Sequence, residues 1–244
     1  MANTFNPYGL ARVDKVGGKD RQFTFKFPLV CNQAGTATYN VSLGSGDPMA
    51  FVATGTGLGQ VGKLALYNFT APTQTGGSPL VPAKPNTQQV PIGQFVGVEY
   101  FDLQGHLIKS GLWIANTQVK AGTVPIVTID CDPQSIYQVQ LNNPITALLN
   151  QSVQGAAGLN ANFANNTAGP NVNIKSSTFA LDASSINTAP GAGTFDNLYQ
   201  FKILGLADMP STDPNNSWSD QYPNVIGVFN NHFLKAGTFS AWAS

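Results

Sequence analysis

Gln22-Phe23-Thr24-Phe25-Lys26-Phe27 alternates polar and aromatic residues without a break, and that period of two decides the fold. A β-strand sends successive side chains to opposite faces, so the three phenylalanines share one face and Gln22, Thr24 and Lys26 the other. The same reading extends along the chain. It predicts strands over 36–43, 49–54, 61–70, 94–102, 106–115, 124–130 and 136–141. Turn-forming stretches separate them, such as Gly44-Ser45-Gly46-Asp47-Pro48 and Asp132-Pro133. Further strands are predicted over 171–181, 198–204, 224–230 and 232–242, whereas 71–91 and 208–223 read as long loops. One segment changes period. In 143–158, Asn143 suits a cap, Pro144 the first helical position, and Ile145, Leu148, Leu149 and Val153 recur at helical spacing.

Many short strands, 25 glycines and 16 prolines define an all-β chain. The expected fold is a jelly-roll-like antiparallel β-sandwich, a single elaborated or a compact double jelly roll, with one short helix. Four parts are expected: an N-terminal arm over 1–20, a sandwich over 21–142, the helix over 143–158, and a second β region over 159–244. That last region is either a second jelly roll or the completion of the first.

Charge is scarce. Only 10% of the 244 residues are charged, where an average domain carries about 25%. Twelve basic and twelve acidic residues cancel, and Glu99 is the only glutamate. This excludes a highly charged disordered chain, a coiled coil and a strongly basic nucleic-acid binder. A neutral, amide-rich surface has little repulsion to hold copies apart, so self-association is expected. The arm carries Arg12, Lys15, Lys19 and Arg21, which read as an assembly arm reaching a neighbour. Set against Asp14 and Asp20, these four are too weak a charge for a genome-binding tail. Residues 1–7 lack a basic region followed by an apolar stretch, and no apolar run approaches the roughly 20 residues of a membrane span. Synthesis in a cytoplasm is expected, with Cys31 and Cys131 as buried free thiols.

No catalytic residue emerges. Gly57-Leu58-Gly59-Gln60-Val61-Gly62 matches a dinucleotide-binding pattern in form, but no helix pattern follows to present its N-terminus to a phosphate. His106 and His232 read as exposed turn residues, with no nucleophile elbow for either to serve. Glu99 and Asp102, three apart on a strand, point to opposite faces and so do not form a glycosidase pair. Asp130 and Asp132 share a face and, with Asp213 and Asp220, could join a structural Ca²⁺ site. Their Asp-Pro contexts, like that of Asp47, favour turn formation instead. No cofactor is expected.

The segment Gly93-Gln94-Phe95-Val96-Gly97-Val98-Glu99-Tyr100-Phe101-Asp102 is a strand ending in an aromatic-acid turn. It is followed by Leu112-Trp113-Ile114-Ala115-Asn116-Thr117-Gln118-Val119-Lys120-Ala121-Gly122-Thr123-Val124, a strand, a polar turn and a step into the next strand. Over roughly 93–142 this order resembles structural proteins of bacterial viruses, including jelly-roll capsid proteins of tailless, lipid-containing phages. The resemblance implies a virion subunit assembling as a homotrimer in an icosahedral capsid, beside other virion proteins and with or without an internal membrane. It carries over no functional residue and implies neither an enzyme nor a sequence-specific nucleic-acid binder. The alternative is a receptor- or carbohydrate-binding spike module. Tyr100, Trp113, Trp218 and Tyr222 would then offer stacking faces, although Trp218 reads first as an anchor for its loop.

Overall fold

The computed structural model describes residues 7–15, 23–30, 39–51, 60–64, 91–145, 155–164, 169–186, 200–207, 216–230, 232 and 234. The strands, in chain order, are β1 (Ala11–Lys15), β2 (Thr24–Pro28), β3 (Leu43–Gly44), β4 (Pro48–Phe51), β5 (Val61–Lys63), β6 (Pro91–Phe101) and β7 (Leu107–Ser110). They continue as β8 (Leu112–Trp113), β9 (Ile126–Asp130), β10 (Ser135–Gln140), β11 (Asn160–Ala161), β12 (Phe201–Leu206) and β13 (Asn224–Phe229). The chain is all-β, and its sheets are antiparallel and arranged as a sandwich.

One sheet runs β1-β10-β13-β12-β11; the other runs β2-β9-β6-β4-β5, with β7 also on β6, and β3 pairs β8 separately. The pairs β1–β10 and β2–β9 are nested: the first strand meets the last of its group and the second meets the last but one. That nesting is how a jelly roll begins. A turn closed by Ser135 N–H donating to Asp132 O carries the chain from β9 in one sheet to β10 in the other. The nesting stops there, because the next neighbour of β10 is β13 from the C-terminal region. Strands β11–β13 therefore complete the sheet that β1 and β10 begin.

There are two apolar clusters, the first taking in Ala50 and Leu64 from the second sheet's side together with residues of the first sheet. Phe163 lies centrally in the first, with ring centroids at 5.4 Å from Phe179, 5.7 Å from Phe201 and 5.9 Å from Phe229. The second gathers Leu29, Met49, Val61, Phe95, Val127 and Ile129 around β6. Val30 N–H donates to Val61 O, and Leu29 bridges Val61, so the end of β2 meets β5 and the second sheet curls toward closure. Sheets curl where bulges and glycines permit it. Here β6 has irregular register against both β4 and β9, and Gly93 sits at φ +144° with no room for a Cβ beside the Asp130 carbonyl.

Several expectations change. Residues 11–15 of the expected arm form β1, an edge strand paired with β10, with Arg12 in register with Tyr137 and Asp14 with Ile136. Of the expected helix, residues 146–154 lie outside the described residues; 155–158 are turn, with Gly155 and Gly158 at positive φ. Among the described residues the only helical turn is the 3₁₀ turn Ala183–Ser185, capped by the Asp182 side chain. Residues 171–181 form no extended strand: isolated bridges such as Asn171–Ser176 and Leu141–Leu181 pin them in place. The expected strand over 232–242 is described only at His232 and Leu234. Replacing Gly93 by Ala adds both strain at a glycine-only φ and a backbone clash. It is expected to lower stability by at least about 2 kcal/mol in denaturant unfolding.

Candidate functional site

Asp47 follows the turn that the sequence predicts, but its carboxylate is fully buried. Its Oδ2 accepts from Gly44 N–H at 2.8 Å, the local bond expected of an Asp in a turn. Its Oδ1 accepts from the Ser177 hydroxyl and lies 3.0 Å from Lys63 Nζ, itself buried on β5. The Lys63 ammonium also sits over the Phe179 ring, 5.2 Å from its centroid. Around the same turn, Leu10 N–H donates to Gly46 O and Gly9 N–H to Phe179 O. Gly46, at φ +91°, leaves room for that close approach to Leu10. Ser177 donates to Asp47 rather than to Lys63, and the group is closed to solvent. It is a cross-tie between the N-terminal strand, the 171–181 segment and the second sheet. Nothing local in the sequence pairs Asp47 with a serine 130 residues away.

A second polar seam lies where β9 turns into β10. The Arg12 guanidinium, 11% exposed, stands 3.6 Å from the fully buried Asp130 carboxylate. Asp132 N–H donates to Asp130 Oδ1, and Asp132 Oδ1 accepts from Gln134 N–H at 3.0 Å. Burial, then the Asp130 charge, holds Tyr137 far above its ordinary range. The same two causes push the Cys131 thiol up to about 12, and Cys131 is a free, buried cysteine as expected. Burial raises Tyr8 to about 12. Asp130 and Asp132 are thus brought together, but with Arg12 beside them; Asp220 instead binds the Ser217 N–H and Asp213 lies outside the described residues. Among the described residues no group of three His, Cys, Asp or Glu is placed to hold a metal ion.

Of the assembly-arm residues, Arg12 lies on β1 with its guanidinium turned inward beside the buried Asp130 carboxylate. Lys15 ends β1, and Lys19 and Arg21 lie outside the described residues. His106 is exposed at the β6–β7 turn, as expected, with its ring Nδ1 3.1 Å from Asp102. Slight burial raises the Asp102 pKa, but hydrogen bonds from the His106 backbone and ring outweigh it and hold it below the usual range. Glu99 is held low by Lys26 and then Lys109, so Glu99 and Asp102 serve different partners. His232 reverses the expectation. It is fully buried, with Nε2 3.0 Å from Ile92 O and Nδ1 accepting from Leu234 N–H. Accepting at Nδ1 and donating at Nε2 is the pattern of a neutral imidazole.

The aromatic candidates divide as well. Trp113 is fully buried, edge-on to Tyr100, and donates Nε1–H to Tyr39 O. Trp218 packs against the first core and covers Gly155, where any Cβ would strike its ring. Trp113 thus offers no stacking face, and Trp218 is partly buried with its ring packed over Gly155.

What does reach the surface is apolar. Phe25 on β2 is 44% exposed and Phe23, just before the strand, 51%. On the β2–β9 ladder Phe25 pairs with Ile129 and Phe27 with Val127, β2 is the edge strand of its sheet, and Phe27 packs edge-on to Phe51. The β6–β7 hairpin ends in an exposed pair, Phe101 opposite Leu107, with Leu103 in the turn. Val172 and Ile174 project from the 171–176 turn. No protein-family model, curated protein or solved structure matches the chain.

Removal of the guanidinium in Arg12→Ala leaves Asp130 in the interior without it. A loss of about 3 kcal/mol is expected in chemical denaturation, against less than about 0.5 kcal/mol for a side chain on a free arm. Alkaline pH is a separate test. The unfolded chain releases the Cys131 proton near its ordinary 9.0 and the Tyr8 proton near 10.0, while the folded chain keeps both to about 12. The unfolded state then binds fewer protons, so stability falls as pH rises through this window. The melting temperature is expected to drop progressively above about pH 9, and Cys131 to stay unalkylated at about pH 8 until the protein unfolds.

Proposed function

We propose that the chain is a virion structural protein, a capsid subunit that assembles with copies of itself and with other virion proteins after synthesis in a host cytoplasm. The observation that carries this reading is the placement of exposed apolar side chains on the projecting parts of a β-sandwich. Phe23 and Phe25 lie at an edge strand, Phe101, Leu103 and Leu107 at a hairpin tip, and Val172 and Ile174 on a turn. Single exposed apolar residues are ordinary, whereas clusters at edges and tips mark surfaces that meet other molecules. The zero formal charge supports the same reading, since little repulsion opposes close packing of identical subunits. A homotrimer in an icosahedral lattice is the arrangement that the resemblance over 93–142 suggests, and closed symmetry is the usual outcome for identical subunits. The carbohydrate-binding alternative is weakened by the burial of Trp113 and the packing of Trp218.

Light scattering and electron microscopy of the purified protein over a rising concentration series test the proposal. Discrete oligomers that progress to closed shells or sheets are expected. A species that stays strictly monomeric at every concentration would overturn it.

A further inference from the structure

We propose that the outer edge of β2 is a two-fold contact, at which a second copy of the chain adds its own β2 in antiparallel register about Phe25. The inference rests on the reading of the chain as a self-assembling subunit and names one of its contacts.

The hydrogen-bonding direction of β2 is fixed at both ends. Phe23 O accepts from Cys131 N–H at 2.7 Å, and Leu29 N–H donates to Pro125 O at 2.9 Å. Odd-numbered residues therefore turn their backbone groups to β9. In a strand the intervening residues turn theirs the other way, so the N–H and C=O of Thr24 and Lys26 point outward. Both residues are exposed, and among the described residues those outward groups meet no backbone partner. The opening is bounded. Pro28 has no N–H to offer, and beyond it Val30 N–H is taken by Val61 O.

An open edge of this kind accepts another strand, and the sequence of β2 suits a copy of itself. Register about Phe25 sets Thr24 opposite Lys26 of the second copy, and Lys26 opposite its Thr24. All the outward groups of Thr24 and Lys26 then pair. Phe25 faces Phe25 as a non-hydrogen-bonded pair, the closer kind, with Cα atoms about 4.5 Å apart. Register about Lys26 would instead oppose two ammonium groups and bring Pro28 opposite Thr24, losing a hydrogen bond. In the Phe25 register the cations are separated, and each is already held by Glu99 of its own chain at 3.0 Å. The same register sets Phe23 opposite Phe27 of the second copy. The rings of Phe23, Phe25 and Phe27 are spaced at 6.0 and 6.4 Å along one strand. Pairing two strands joins them into one six-ring stripe and covers the exposed part of Phe25.

Disulfide trapping tests this contact. Phe25→Cys in a Cys31→Ser background places two thiols within disulfide reach across the two-fold axis, while the buried Cys131 stays silent. Mild oxidation is expected to convert most of the protein to a covalent dimer, with at least about five-fold less from Val172→Cys. Thr24→Pro, which removes an outward N–H that the β2–β9 ladder does not use, is expected to weaken association at least about ten-fold, with the circular dichroism spectrum and melting temperature of the parent retained. If light scattering shows assembly but Phe25→Cys cross-links no more than Val172→Cys, the β2 contact is overturned and the assembly reading stands. If Phe25→Cys cross-links efficiently but the protein never progresses beyond a dimer, the contact stands and the capsid reading falls. A monomer that does not cross-link removes both.

Discussion

The buried carboxylate of Asp47 is the constraint on which the rest of this sandwich depends. The first apolar cluster takes in Ala50 and Leu64 from the second sheet's side, so apolar packing brings the sheets together, but such packing is largely non-directional and does not by itself fix one relative position. Asp47 supplies that direction. It holds the tight turn through Gly44, Lys63 on β5, and Ser177 on the segment beside the first sheet. A buried ion pair adds little net stability compared with an apolar replacement, because desolvation offsets the attraction. Its value here is geometric: only one arrangement of the three segments satisfies the carboxylate and the ammonium together. The Arg12–Asp130 pair plays a similar part where the chain crosses between sheets, tying β1 to the end of β9.

These polar ties explain where the sequence was legible and where it was not. The period of two in a strand is local, so β6, β9, β10, β12 and β13 fall within a few residues of the strands read from the pattern. Which face of a strand becomes covered is not local. Phe23 and Phe25 alternate as cleanly as any core strand, yet both stay about half exposed. Phe27, on the same face, meets Phe51 because their own sheet curls and brings β4 round to it. Alternation reports the two faces; it cannot report where the opposing layer ends.

The partners of the buried charged residues are hidden from the sequence for a related reason. In a chain with so few charges, Arg12 beside Asp14, Lys15 and Lys19 resembles a solvated segment. Its partner Asp130 is more than a hundred positions away, so nothing nearby signals that the guanidinium is buried. Lys63 and Asp47 are closer in sequence, but a lysine in a short strand and an aspartate before a proline each have an ordinary local explanation. His232 was likewise read from its Asn230-Asn231 context, whereas its burial is set by Ile92, 140 residues earlier. The sequence read correctly what neighbouring residues decide, and misread what a distant strand decides.

The few charges that stay outside are placed so as to leave association possible. Lys26 and Lys109 both reach Glu99, which gathers the cations of one sheet face onto the single glutamate. Such exposed pairs add little stability, but Glu99 cancels one of the two lysine charges on the face that lies behind the aromatic side of β2. Proline does the complementary work. Soluble proteins blunt open edges with charge, proline or bulges to prevent uncontrolled pairing, and β2 has its proline only at the end where it meets β5. An edge kept open over three residues and closed immediately after them can take one short strand in one register. That is the difference between an aggregation-prone edge and a defined subunit contact.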